Sequence, residues 1–117
     1  MTRPAAPKGL GTAGSRLWRS VLDAFELSEQ GLTLLRQASR TADLCDQLQA
    51  VVDVEGPMVS AKDDGQRAHP ALVELRQQRI TLARLLVALR VPIGDDDDAV
   101  RTQRRGIRGV YGGRGAA

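Results

Sequence analysis

The sequence predicts a mainly α-helical protein: a short N-terminal helix, then a long antiparallel helical hairpin whose two helices are joined by a small β-hairpin. Three observations favour this fold. Apolar residues recur at helical spacing over three segments. Glycine and proline gather mostly in the first 14 residues and after residue 91, which is typical of loose ends around a structured middle. Aromatic residues are limited to Trp18, Phe25 and Tyr111, so the core of this 117-residue chain has to be aliphatic.

The chain divides at about residues 11 and 92. We expect a flexible basic arm over 1–11, a helical domain over 12–92, and an acidic run followed by a disordered Arg-rich tail over 93–117. The first helix is predicted from Thr12, a suitable N-cap, to about Phe25. It carries its apolar residues on one face: Leu17, Trp18, Val21, Leu22 and Phe25.

The second helix is predicted from Glu29 to about Asp53, where the following Gly56-Pro57 pair ends it. Ser28 is its expected N-cap, and Leu27 and Leu32 take the positions of a hydrophobic staple. One face has the alternating four- and three-residue spacing of a coiled-coil seam. The seam consists of Leu34, Ala38, Thr41, Cys45, Leu48 and Val52, widened by Leu35, Ala42 and Leu44.

A β-hairpin is predicted between the long helices, with Met58–Ser60 pairing with Gln66–Ala68 across a turn over 62–65 in which Gly65 accepts a positive φ. Pro70 then opens a third helix, which runs to about Arg90. Its seam consists of Leu72, Leu75, Arg79, Leu82, Leu86 and Leu89. The two long helices most simply pack as an antiparallel pair.

A further set of apolar residues lies beside the seam of the third helix: Val73, Ile80, Ala83 and Val87. The apolar surface of this helix is therefore wider than one partner helix covers. The first helix can cover part of the excess. Because the first helix is so short, we expect these residues to mediate self-association with a second copy of the chain.

Several classes of protein are disfavoured. No apolar run reaches the roughly 18 residues of a membrane span, and the N-terminal residues lack a signal-peptide core, so we expect a cytosolic protein without membrane contact. One cysteine, Cys45, and one histidine, His69, do not supply a disulfide, a metal cluster or a catalytic triad. The match to G-x-G-x-x-G over 9–14 lacks a preceding strand, so we interpret it as a hinge. We expect no enzyme activity, cofactor or metal, and we interpret the acidic run 95–98 as solvated.

Charge is distributed by position. Residues 1–19 hold four basic and no acidic residues, residues 99–117 hold five arginines and no acid, and the segment between them is acidic overall. Basic ends favour a polyanionic partner such as DNA, although solubility or an acidic protein surface also fits. The expected DNA contacts are Lys8, Arg16, Arg19, Arg101, Arg104, Arg105 and Arg108. On the long helices, some of Arg36, Arg40, Arg76 and Arg90 are expected to pair with Asp43, Asp46 or Glu74.

The order of motifs resembles the small subunit of the DNA-packaging terminase of tailed bacteriophages, in the family typical of phages of actinobacteria. The resemblance covers about residues 9–92. Its strongest pieces are HPALVELRQQR over 69–79 and LRVP over 89–92, where Arg90 stands in place of the glycine common in related proteins. Weaker pieces are GLGTAG over 9–14 followed by Leu17-Trp18, FEL over 25–27, ASRTAD over 38–43 and the hairpin with Gly65.

This resemblance implies a non-catalytic protein that forms a ring-like homo-oligomer, often of nine copies. Such a protein binds double-stranded viral DNA at the start of packaging and passes it to the large ATPase and nuclease subunit in the cytoplasm of the infected bacterial host. Residues 12–92 are then the oligomerisation and DNA-recognition domain. Two alternatives stay open: a coiled-coil structural or adaptor protein without nucleic-acid binding, and a small dimeric DNA-binding regulator.

Overall fold

The computed structural model describes residues 3–90 and the residue pair 103–104. The protein is mainly helical, as the sequence predicts, with short antiparallel strand pairs. In chain order the elements are α1 (Thr12–Ala24), β1 (Phe25–Glu26), α2 (Glu29–Glu55), β2 (Met58–Ser60), a 3-10 turn (Lys62–Asp64), β3 (Gln66–Ala68), α3 (Pro70–Leu89) and β4 (Gln103–Arg104). Most of the predicted tail, including Asp95–98 and all but two residues of 99–117, lies outside the described residues.

The start of α2 matches the expectation from its sequence. The Ser28 hydroxyl accepts a hydrogen bond from the Gly31 backbone N–H at 3.1 Å, and Leu27 packs against the core cluster that contains Leu32. The helix continues to Glu55, two residues beyond the predicted end. It stops at Gly56, whose φ of 89° is a conformation that glycine adopts readily. At 27 residues, α2 is about 40 Å long.

Three contacts at successive positions along α2 and α3 show that the two helices run antiparallel. Near the connection, His69 at the start of α3 meets Glu55 at the end of α2. Further along, Arg79 donates to the Gln49 side chain at 2.7 Å. At the far end, Leu89 shares one buried cluster with Leu35. Chain direction is therefore opposite in the two helices.

The connection between the long helices pairs β2 with β3 in the register Met58↔Ala68, Val59↔Arg67 and Ser60↔Gln66. The conformation of the intervening turn differs from the prediction. Gly65 has a φ of −87°, and the positive φ angles fall on Asp63 (62°) and Asp64 (61°). Aspartate tolerates this left-handed region because its short side chain hydrogen-bonds locally, so glycine is not required there.

Helix α3 begins at Pro70, whose missing N–H costs nothing at the first helical position. His69 is its N-cap and accepts a hydrogen bond from the Ala71 backbone N–H through Nδ1 at 2.9 Å. The helix ends at Leu89, one residue before the predicted end, because Arg90 takes a left-handed conformation with φ 62°. A glycine would adopt this C-terminal position without the steric cost that a Cβ imposes.

The main core lies at the open end of the helical hairpin, where α1 packs on α2 and its buried residues share a cluster with Leu89 at the end of α3. It contains Trp18, Val21 and Leu22 from α1, then Phe25, Leu32, Leu35 and Leu89. The end of the hairpin near β2 and β3 has no third helix over it among the described residues. Helix α1 ends at Ala24, because Phe25 and Glu26 are extended and pair with Arg104 and Gln103 of β4.

Candidate nucleic-acid and subunit interfaces

The start of α1 is held by a carboxylate from the middle of α2. Asp43 accepts two backbone hydrogen bonds at 2.7 Å, one from the Gly11 N–H and one from the Gly14 N–H. The predicted N-cap, Thr12, is therefore wrong: the cap residue is Gly11, and the acceptor comes from another helix. The carboxylate satisfies N–H groups that have no partner within the helix, and its charge is favourable at the positive end of the helix dipole.

The glycine pattern over 9–14 has a structural explanation. A Cβ on Gly14 would lie 2.5 Å from the Ser39 carbonyl oxygen and against the Asp43 carboxylate, so a side chain there prevents this approach of α1 to α2. The N-terminus of α1 already holds an anion of the same chain. It is therefore not the phosphate site that its glycine spacing suggests.

The basic residues predicted to bind DNA at the N-terminal side are all exposed. Arg16 and Arg19 lie on the solvent side of α1, three residues apart, and Lys8 lies in the segment that leads into the helix. Within residues 3–90, the ion pair that the structure shows for a lysine or arginine joins Arg3 to Asp23 at 2.7 Å. Lys8, Arg16 and Arg19 therefore keep their charges available to a ligand.

The arginines of the long helices differ from the prediction. Across residues 3–90, none of Arg36, Arg40, Arg76 and Arg90 forms an ion pair with Asp43, Asp46 or Glu74. Asp43 is occupied by backbone N–H groups, and Glu74 accepts from Gln78 at 2.7 Å. Arg36 is half-buried and Arg40 is exposed, one turn apart on α2.

The predicted tail contacts fall outside the described side chains. Arg101, Arg105 and Arg108 are not described, and for Arg104 the structure gives the backbone alone, which pairs with Phe25 just after α1. The structure therefore describes where the N-terminal basic side chains lie, whereas DNA contact by the tail arginines stays a prediction.

Two exposed apolar surfaces lie on the helical hairpin. The first is the predicted one on α3, where Val73, Ile80, Ala83 and Val87 are all exposed. The second was missed by the sequence reasoning, which expected Leu44 to widen the seam. Instead Leu44 lies partly exposed on the flank of α2, as does Val51 two turns further along; Val54 near the end of the helix and Met58 in β2 are exposed as well. The seven-residue spacing of Leu44 and Val51 was the sequence signal for this surface.

The single histidine and cysteine are both structural. His69 is buried, and while Nδ1 caps α3, Nε2 donates to the Glu55 carboxylate at 2.6 Å, which ties the ends of α2 and α3 together. Cys45 is buried in the seam as predicted, and this burial raises the pKa of its thiol. Across residues 3–90, no His, Cys, Asp and Glu side chains form a group able to hold a metal ion. In the same part of the chain, no helix has both the length and the apolar character that spanning a bilayer requires.

Comparison of the chain with protein-family models, with curated proteins and with solved structures finds no match.

Proposed function

We propose that this protein is a non-catalytic DNA-binding subunit of a phage packaging machine, equivalent to a terminase small subunit. In this role it assembles into a ring-like homo-oligomer and binds double-stranded viral DNA in the cytoplasm of the infected bacterium. It also recruits or regulates the large ATPase and nuclease subunit. The order of motifs described above is the source of this specific assignment, and the structure supplies the surfaces on which it can be tested.

The observation that carries the DNA-binding part is the set of unpaired basic side chains at α1. Arg16 and Arg19 have no ion pair in the described part of the chain, and the nearby carboxylate Asp43 faces inward to the helix start. Their full charge is thus directed at solvent. Mobile counterions are released when such groups meet phosphates, which gives affinity for DNA without sequence readout. In a ring, many copies of a weak patch act together and raise the overall affinity.

The test is the salt dependence of DNA binding. Log K for duplex DNA falls against log salt with a slope of about 0.9 per neutralised phosphate. We therefore expect Arg16→Gln/Arg19→Gln to flatten the slope of the wild-type chain by about 1.8. The matched control is Lys62→Gln/Arg67→Gln, which removes the same charge from exposed positions of the β2–β3 hairpin and should leave the slope nearly unchanged.

Each result assigns the function differently. Equal slopes for the α1 variant and the hairpin control remove Arg16 and Arg19 from the DNA site. An absence of wild-type retardation at low salt favours the coiled-coil adaptor. A dimer that prefers a short palindrome favours the small regulator. A pull-down with the large subunit, which compares the full-length chain with a chain that lacks residues 99–117, tests whether the Arg-rich tail binds that partner instead of DNA.

A further inference from the structure

The segment that precedes α1 is folded back along that helix. The chain turns at Gly9, which has a φ of 85°. At the far end of the segment, Arg3 Nη2 donates to Asp23 Oδ1 at 2.7 Å. Asp23 is the twelfth residue of α1, about 18 Å from the start of the helix, and six extended residues between Gly9 and Arg3 span about 20 Å. Residues 3–8 therefore run along α1 towards its C-terminal end.

Asp23 lies on the same face of α1 as the two arginines of the proposed DNA site. Residues four or seven apart in a helix project within about 40° of each other, so Asp23 shares one stripe with Arg19 and Arg16. All three side chains are exposed. No acidic residue precedes Asp23 in the sequence, so its carboxylate is the single negative side chain of the first 23 positions. Without a partner, this carboxylate would repel a phosphate that approaches the two arginines.

The pair with Arg3 neutralises the carboxylate and brings a further guanidinium to this face. A guanidinium has five N–H donors in a planar fork, and the Arg3 side chain is 44% exposed, so donors remain for a phosphate while the pair is intact. Pro4 and Pro7 are half-buried and restrict the backbone of the segment, which lowers the entropy lost when Arg3 is held. Exposed ion pairs add little to stability because water screens both charges, so anchoring of the fold explains this pair poorly.

We infer, in a step that rests on the proposed function, that Arg3 is a further DNA-binding residue and that Asp23 is its positioning residue. The carboxylate holds one edge of the guanidinium, and the remaining N–H groups bind a phosphate of the duplex. The phosphate-binding face of α1 then consists of Arg3, Arg16 and Arg19, with the charge of Asp23 masked. Contacts of this kind orient a protein on DNA without reading its sequence.

The experiment is a double-mutant cycle on the full-length chain, with affinity for a mixed-sequence duplex measured over a range of salt concentrations. Arg3→Gln should flatten the slope of log K against log salt by about 0.9 and weaken binding about five-fold at about 0.15 M salt, the effect of one lost phosphate contact. In the Asp23→Asn background, where the anchor is absent, Arg3→Gln should change the slope by less than about half as much. Asp23→Glu keeps a carboxylate and should preserve the wild-type slope.

The matched control is the same cycle at the other end of the molecule, with Arg67→Gln and Asp63→Asn in the β2–β3 hairpin. Both positions are exposed, and asparagine tolerates the φ of 62° at residue 63. These variants should leave the slope nearly unchanged. Far-UV circular dichroism and the fluorescence of Trp18, which is buried on α1, verify that each variant keeps its fold.

The outcomes separate the role of Asp23 from that of Arg3. Equal effects of Arg3→Gln with and without Asp23→Asn mean that Arg3 binds DNA independently, and a larger effect with Asp23→Asn means that phosphate displaces the carboxylate; either result overturns the positioning role. If Arg16→Gln/Arg19→Gln flattens the slope and Arg3→Gln does not, the role of Arg3 is wrong and the proposed function stands. A wild-type chain that does not retard DNA at low salt overturns both.

Discussion

Replacing Asp43 with asparagine should weaken the attachment of α1 to α2. The wild-type carboxylate accepts from the Gly11 and Gly14 N–H groups, both at 2.7 Å, and hydrogen bonds to charged groups contribute about 1.5–3 kcal/mol each. Asparagine keeps one acceptor oxygen and turns an N–H₂ donor towards the other N–H. We expect the free energy of unfolding to fall by about 1.5–3 kcal/mol, the contribution of one such bond.

The assay is urea unfolding of the full chain at fixed protein concentration, because association changes apparent stability. Trp18 is the chain's single tryptophan and is 2% exposed in the α1 contact, so its fluorescence reports on this part of the fold. The control is Asp46→Asn, an exposed carboxylate on the same helix, which should shift stability by less than about 0.5 kcal/mol. Equal stability of the two variants would refute the role assigned to Asp43.

Three further outcomes are expected. Gly14→Ala should lower the free energy of unfolding in urea by about 1–3 kcal/mol, because the added Cβ meets the Ser39 carbonyl oxygen. Gly9→Ala has open space around it but a φ of 85°, so it should cost only the backbone strain of about 1–2 kcal/mol. No loss of stability for Gly14→Ala would contradict the close approach of α1 to α2. Arg90→Gly should have a free energy of unfolding about 1 kcal/mol higher than Arg90→Ala, since φ is 62° at this position. Equal free energies of unfolding for the two variants would contradict the left-handed conformation of residue 90. Burial raises the pKa of the Cys45 thiol above its ordinary value, so its reaction with a thiol reagent at pH 8 should be slow until urea unfolds the chain. Rapid labelling of the folded chain would be inconsistent with burial. Because the pKa is raised in the folded chain, the thiol's contribution to stability is present below the ordinary thiol pKa and is lost as the pH rises through the raised one, a slope that Cys45→Ala should lack.

Local signals in the sequence predicted much of the helical framework. The Ser28 cap, the proline at the start of α3 and the burial of Cys45 are confirmed. Each of these features depends on residues within one helical turn of one another or on a regular apolar period. Both can be recognised in a short stretch of the sequence. The helix ends deviated by one or two residues for equally local reasons, such as the left-handed conformation of Arg90.

The contacts that the sequence did not reveal join distant residues. Asp43 lies 29 and 32 positions from its hydrogen-bond donors, and nothing adjacent to it marks it as a helix cap. An available clue was its position one turn beyond Ser39, on a stripe of α2 that also includes Leu32 and Leu35 and faces α1. Similarly, Gly65 was the expected site of a positive φ because glycine is the usual choice, but Asp63 and Asp64 both tolerate it.

The unequal thickness of the helical hairpin has a consequence for how the protein opens. At one end, three helices contribute to the buried cluster around Trp18 and Leu22, while at the other the His69–Glu55 pair joins two helices, with no third over them in the part of the chain that the structure describes. Local unfolding follows the density of buried contacts, so backbone amides near the β2–β3 turn exchange with solvent through openings that leave the α1 end intact. A substitution at His69 should therefore first accelerate the hydrogen exchange of backbone amides near the β2–β3 turn. The docking of α1 stays governed by Asp43 at the opposite end of the molecule.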